Sequence, residues 1–279
     1  GMDLRTRSAA ESARRSMPCS TARRRSPSVK MPIARPSAST IAAAPKPLRV
    51  LLFAGGCCHD YAVQHLILKE GLEARAHVEV DAVHSFDRST KVTFAPYEKP
   101  DWAKGYDVIV HDECSADVKD VAYVNNILAA HRAGIPAVNL HCAMHSYRVG
   151  NISQPVVPGS PDALWFDLLG LQSTGHGPQE PIQLTTVAKD HPIMAGQPEW
   201  TTIKEELYNN VQPPANFAGH RSLATGRQTV KTKEGSTKEN QSVVVWTNVY
   251  GPKQARVFAT TLGHNNGTVE DARFLDLVA

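Results

Sequence analysis

Histidines, thiols and acids in this chain gather where short apolar runs end. Leu48–Ala54 passes through Gly55, Gly56, Cys57 and Cys58 into His59, with Asp60 and Tyr61 next. Tyr106–Val110 stops at His111, ahead of Asp112, Glu113 and Cys114. Ala137–Leu140 stops at His141, ahead of Cys142 and His145, and Val257–Leu262 stops at Gly263, His264 and Asn265. Imidazoles act as general acids and bases and as ligands to divalent ions. His59 beside Asp60 offers a base and a carboxylate, although Asp60 could equally cap a helix. His141 and His145 share a face if the turn between them is helical, which suits one metal ion. Cys142 next to a histidine could be an activated nucleophile, or a small core filler. His111–Cys114 could hold a metal or a sugar hydroxyl, but strand-end capping accounts for it as well. Glu205-Glu206-Leu207-Tyr208, on a segment that reads as irregular, adds a carboxylate and a phenol.

Such residues meet only if the runs are parallel strands whose carboxyl ends share one sheet edge, where ligands bind in the crevice. Leu48–Ala54, Val78–Val83, Tyr106–Val110 and Pro136–Leu140 read as strands. Tyr61–Ala76, with Val63, Leu66, Ile67 and Leu72 at helical spacing, and Val118–Ala133, with Gly134 as its stop, read as helices. The alternation predicts an α/β fold with a parallel sheet. Beyond Gly150, Pro161–Leu169 reads as a short helix, and Ile182–Val187, Phe217–Ala224, Ser242–Thr247 and Arg256–Leu262 as strands of an antiparallel extension. Lys231–Gln241 reads as a charged hairpin tip, and Phe274–Ala279 as part of a final helix.

The formal charge of +3 is unevenly placed. Residues 1–47 carry 10 Lys/Arg against 2 Asp/Glu, and residues 48–279 carry 20 against 25. The first segment, rich in Arg, Ser, Ala and Pro, is expected to be a disordered basic tail, with Gly1 a cloning remnant and Met31 an alternative start. The acidic balance of 48–279 argues against a nucleic-acid partner. No apolar run approaches the length of a membrane span, and the Arg pairs precede no secretory h-region. Five cysteines make no disulfide framework in 279 residues, so reduced thiols and a cytoplasmic location are expected. Gly55-Gly56 is not a GxGxxG fingerprint, so no nucleotide cofactor is expected.

Gly55–Tyr61, Pro136–Ser146, Asp190–Ile193 with Glu205–Tyr208, and Val245–Thr247 followed by Arg256–His264 resemble, in order and spacing, the ThuA-like (trehalose-utilisation) family. The resemblance covers nearly everything from Leu48 onward. It implies a class I glutamine amidotransferase-like fold, a flavodoxin-like three-layer sandwich over residues 48–279. Where that superfamily carries its nucleophilic cysteine, this chain has His141, with Cys142 one residue late and Asn139 and Ala143 in the place of glycines. Glutamine amidotransferase activity is therefore not expected. The resemblance instead implies a sugar-metabolism protein acting on a disaccharide or keto-sugar as a hydrolase or isomerase, beside a sugar dehydrogenase, in a homo-oligomer. In this reading His59, Asp60, His141 and Glu206 carry catalysis. Gly56, Tyr61, His145, Tyr208, His264 and Asn265 contact the sugar. His141, His145 and His264 hold a divalent metal, with zinc the natural candidate. The alternatives are a Cys142-dependent hydrolase and a non-catalytic sugar-binding scaffold.

Overall fold

The structure is a computed structural model, and it describes residues 45–279. The expected basic tail, apart from Pro45–Pro47, lies outside the described residues. Nine strands form one sheet in the order β2-β1-β3-β4-β9-β8-β7-β5-β6. They are β1 (Leu48–Gly56), β2 (Val78–His84), β3 (Val108–Cys114), β4 (Ala137–Leu140), β5 (His176–Thr186), β6 (Thr201–Tyr208), β7 (Arg221–Lys231), β8 (Thr237–Tyr250) and β9 (Ala255–Thr260). The helices are α1 (Tyr61–Glu73), α2 (Val121–Arg132), α3 (Leu164–Leu169), α4 (Asn266–Val269) and α5 (Ala272–Val278).

β1 pairs in parallel with β2 and β3, β3 with β4, and β4 with β9. The order 2-1-3-4-9 is the flavodoxin-like pattern, which reverses at β1/β3 and opens a ligand crevice there. From β9 outward every pairing is antiparallel, as the extension predicted. Successive reversals return β6 to the direction of β9, so the carboxyl end of β6 faces the same way as those of β1, β3 and β4. Glu205 of β6 also meets the backbone after β9, and α4 touches β6. The sheet must therefore curl enough to bring its last strand back over the parallel half. Apolar side chains on the two sheet faces form two cores: one around Phe53, Tyr97, Trp165 and Trp246, the other around Leu52, Leu68, Val244 and Phe274.

Four sequence expectations differ from the structure. β3 does not stop at Val110 but runs on through His111, Asp112 and Glu113, all buried. His111 Nδ1 lies 2.9 Å from Glu113 Oε1, which also accepts from the Tyr147 hydroxyl at 3.0 Å, and His111 Nε2 lies 3.1 Å from His131 Nε2. These bonds let His111 and Glu113 sit inside a strand rather than cap a helix, while Asp112 Oδ2 and Glu113 Oε2 stay buried without a partner. Glu205-Glu206 is not irregular but lies on β6. Helix α1 ends at Glu73, and its inner face is Tyr61, Gln64, Leu68, Gly71 and Leu72, leaving Val63 and Leu66 exposed. Gln64 turns inward because its Nε2 donates to the carbonyls of Gly263 and His264 at 3.1 and 3.3 Å. The cysteines, finally, are paired rather than reduced: Cys57 with Cys58, and Cys114 with Cys142. The thiol argument for a cytoplasmic location therefore falls away. Among the described residues no helix is long and apolar enough to cross a membrane.

Candidate functional site

Three histidines arrive at the sheet edge from separate strand ends. After β1 the backbone turns through Gly56 at φ +104° and Cys58 at φ +81° to deliver His59. A Cβ on Gly56 would strike the carbonyl of Cys114, so only glycine fits the turn. Its N–H donates to the Asp87 carbonyl at 3.1 Å, so it is not free to receive a ligand as expected. His141 opens a 3₁₀ turn after β4 with φ +41°, a left-handed conformation that a residue other than glycine seldom adopts. β9 leads through Gly263 to His264.

Ligand atoms of His59, His141 and His264 lie within 4.8 Å of one another. The His59 ring centre is 4.6 Å from that of His141 and 4.8 Å from that of His264. His141 Nδ1 sits 2.7 Å from the Thr261 carbonyl. A proton on that nitrogen leaves Nε2 as the one with a lone pair, the tautomer a metal-binding imidazole requires. Nδ1 of His59 and Nδ1 of His264 are buried without a hydrogen-bond partner. Glu206 completes the group: its Oε2 lies 3.6 Å from His141 Nε2 and 3.4 Å from His264 Nδ1. Two imidazoles with an unpartnered nitrogen, a third whose Nε2 meets only the Tyr208 hydroxyl at 3.3 Å and Glu206 at 3.6 Å, and one carboxylate fit a divalent ion of the zinc type.

Electrostatics separate the members. Burial, with repulsion from His141 and His264, lowers His59 to about 2, so its ring is neutral at any working pH. Burial would raise Glu206, but its contacts with His141 and His264 outweigh that and lower it. His264 is raised, chiefly by Glu206. The neighbouring Glu205 is fully buried, and its carboxylate accepts the His264 backbone N–H at 3.1 Å on both oxygens and the Asn265 N–H at 3.5 Å.

A cavity of about 670 Å³ opens over the group, with Cys58, His59, Asp60, Lys204, His264 and Asn265 in its wall. His141 and Glu206 are buried beside the two wall histidines. Asp60 does not cap α1 with its side chain; its Oδ2 accepts from Asn266 Nδ2 at 2.9 Å across the cavity wall. Tyr61 is buried, with its hydroxyl unpartnered, among Ala54, Cys114 and Cys142. Tyr208 is buried too: its hydroxyl lies 3.3 Å from His141 Nε2 and its ring stacks on His145 at 4.1 Å.

His145 does not join His141 in the three-histidine group. The turn is 3₁₀ with a left-handed first residue, so positions i and i+4 do not share a face as they would in an α-helix. His145 Nε2 instead lies 2.9 Å from Ser173 Oγ, and His59 takes its place in the group. Cys142, bonded to Cys114, has no thiolate to offer as a nucleophile in this state. Sequence reasoning missed His176, whose Nδ1 lies 3.6 Å from Glu206 Oε1 at the start of β5. Its one signal was a histidine set between Gly175 and Gly177.

A flavodoxin-like parallel half-sheet, extended by antiparallel strands and carrying an imidazole–carboxylate group at its carboxyl edge, defines the class as α/β. The model of the ThuA family, described as trehalose utilisation, matches residues 49–279. The chain belongs to that family. A ThuA-like protein of Parabacteroides merdae is 23% identical with a TM-score of 0.56, over 84% of this chain and 88% of that one. One from Bacteroides uniformis is 15% identical, also at 0.56, over 86% and 91%. A glutaminase domain of Trypanosoma brucei CTPS with bound acivicin is 14% identical at 0.45, over 82% and 92%. No curated protein matches the chain.

Proposed function

We propose that the chain binds a disaccharide or keto-sugar at the carboxyl edge of the sheet, with His59, His141 and His264 holding a divalent ion such as zinc. The observation that carries this reading is the convergence of three imidazoles, two buried and one half-buried, from three strand ends up to 205 residues apart (59 to 264), on one point beside Glu206. The cavity of about 670 Å³ falls in the usual range for small ligands. Its wall of Asp60, Gln179, Lys204, Asn265 and Asn266 is rich in groups that pair with hydroxyls. The family description, trehalose utilisation, supports a sugar.

A bound divalent ion supplies Lewis-acid polarisation of a sugar oxygen or an acidified water. The chain's own residues do the rest. His141 is fixed in one tautomer by the Thr261 carbonyl. Glu206, in contact with His141, His264 and His176, is the carboxylate placed to hold or move a proton. His59, kept neutral by burial, serves as a ligand rather than as the acid/base partner of Asp60.

The test is a thermal shift of metal-depleted, tag-free protein with zinc and a panel of disaccharides and 3-keto sugars. A ligand at a hundredfold excess over its Kd adds about 2.7 kcal/mol, a rise of roughly 5–10 °C for a domain of this size. The double variant His141→Gln/His264→Gln should lose that rise while keeping its circular dichroism. An equal rise in wild type and double variant refutes the proposal.

A further inference from the structure

Four cysteines meet behind the site, and the reading above does not use them. Cys57 and Cys58 form one bonded pair in the β1–α1 loop, and Cys114 at the end of β3 is bonded to Cys142 in the turn after β4. The two pairs touch: Cys57 Sγ lies 3.4 Å from Cys114 Sγ. Their accessibility is graded. Cys58 is exposed in the cavity wall, Cys57 is half-buried, and Cys114 and Cys142 are buried at 2% and 6% exposure. A solvent-borne thiol can therefore reach Cys58 but not the inner pair, while Cys57 is in van der Waals contact with it.

We propose that the four cysteines form a thiol–disulfide exchange site, through which an external dithiol reduces the buried Cys114–Cys142 pair by way of Cys57 and Cys58. Exchange proceeds by thiolate attack on a disulfide sulfur through a mixed disulfide. A thiolate of the external dithiol attacks Cys58 Sγ, the Cys57–Cys58 bond breaks, and Cys57 leaves as thiolate. The second thiolate of the dithiol attacks its own sulfur in the mixed disulfide, so Cys58 leaves as thiolate and the reductant departs as its disulfide. The Cys57 thiolate then attacks Cys114 Sγ, forming Cys57–Cys114 and releasing Cys142. Finally the Cys58 thiolate attacks Cys57 Sγ, which re-forms Cys57–Cys58 and releases Cys114. In sum one dithiol is oxidised, one buried disulfide is reduced, and two electrons and two protons pass to Cys114 and Cys142. Each pair adjoins a site histidine in sequence, Cys58 before His59 and Cys142 after His141, so the exchange acts on the segments that carry them.

The test is differential alkylation with peptide mapping of the full chain, equilibrated with oxidised glutathione and then exposed to dithiothreitol under native conditions. Mapping separates these peptides from that of Cys19, which lies outside the described residues. In wild type, Cys114 and Cys142 should become alkylated. Cys58→Ser removes the resolving thiol, so a Cys57–Cys114 linkage should accumulate with Cys142 alkylated, even without dithiothreitol. Cys57→Ser removes the link to the inner pair, which should then open at least tenfold more slowly in the native protein yet open fully in denaturant. Three results overturn the proposal: Cys114 and Cys142 free in oxidised wild type, Cys114–Cys142 intact with Cys57 alkylated in Cys58→Ser, or opening at the wild-type rate in Cys57→Ser.

Discussion

Replacing Glu205 should loosen the segment that presents His264, and the size of the effect follows from its bonds. The carboxylate is fully buried and accepts the His264 N–H at 3.1 Å on each oxygen and the Asn265 N–H at 3.5 Å. A hydrogen bond to a charged acceptor contributes about 1.5–3 kcal/mol, and a buried donor left unpaired costs about 1–3 kcal/mol. Counting the His264 bond in full and the long Asn265 bond as a fraction, Glu205→Ala should destabilise the protein by about 2–4 kcal/mol. Glu205→Gln keeps one carbonyl oxygen for the His264 N–H and sheds a desolvated charge, which works in the protein's favour. Its cost should be about 1 kcal/mol. Urea unfolding followed by fluorescence of the buried Trp165 and Trp246 reads both values. At roughly 2–4 °C per kcal/mol the alanine variant should melt some 5–15 °C lower. If both variants lie within about 0.5 kcal/mol of wild type, the carboxylate does not hold that segment, and the account of how His264 is placed is wrong.

Gly56→Ala should cost more than about 1 kcal/mol in the same assay, because the residue sits at φ +104° and its Cβ would collide with the Cys114 carbonyl; an unchanged midpoint refutes this. His131, fully buried beside His111, is lowered to about 3 by burial first and by His111 second. The unfolded chain protonates this residue below about pH 6.5 while the folded one does not, so it makes stability fall with decreasing pH across that window. His131→Gln should therefore flatten the acid-side decline by up to about 1.4 kcal/mol per pH unit between pH 6 and pH 4, read from urea midpoints, and parallel pH profiles would contradict it.

The parts of the site that could be read beforehand were those at the ends of apolar runs. His59, His141 and His264 announce themselves because a parallel sheet puts such ends on one edge, and the alternation of strands and helices is visible locally. His145 was misplaced because the handedness of one residue, His141, decides which way the following turn points, and no spacing rule encodes that. β3 was cut short at His111 because Asp112 and Glu113 read as polar, whereas the phenols of Tyr97 and Tyr147 that sustain Glu113 come from distant segments. β6 went unread for a similar reason. Its inward Glu205 is satisfied only by backbone groups near residue 264, a contact made when the sheet curls. The cysteine pairing likewise depends on register between β1, β3 and β4, since Gly56 is aligned with Cys114.

The curl of the sheet gives the site an unusual position in the energy landscape of the chain. β6 is the last strand of the sheet on one side, four places from β9, yet its Glu206 touches His264 after β9 and His141 after β4. A ligand held between Glu206 and the histidines therefore clasps one edge of an open ribbon to the strands at its middle. Its binding energy should appear as slower amide hydrogen exchange in β5 and β6, at the free edge and far from the first strand along the ribbon, rather than only in the loops that touch it. Such a molecule would act as a brace that pins the loose edge of the sheet to its rigid centre.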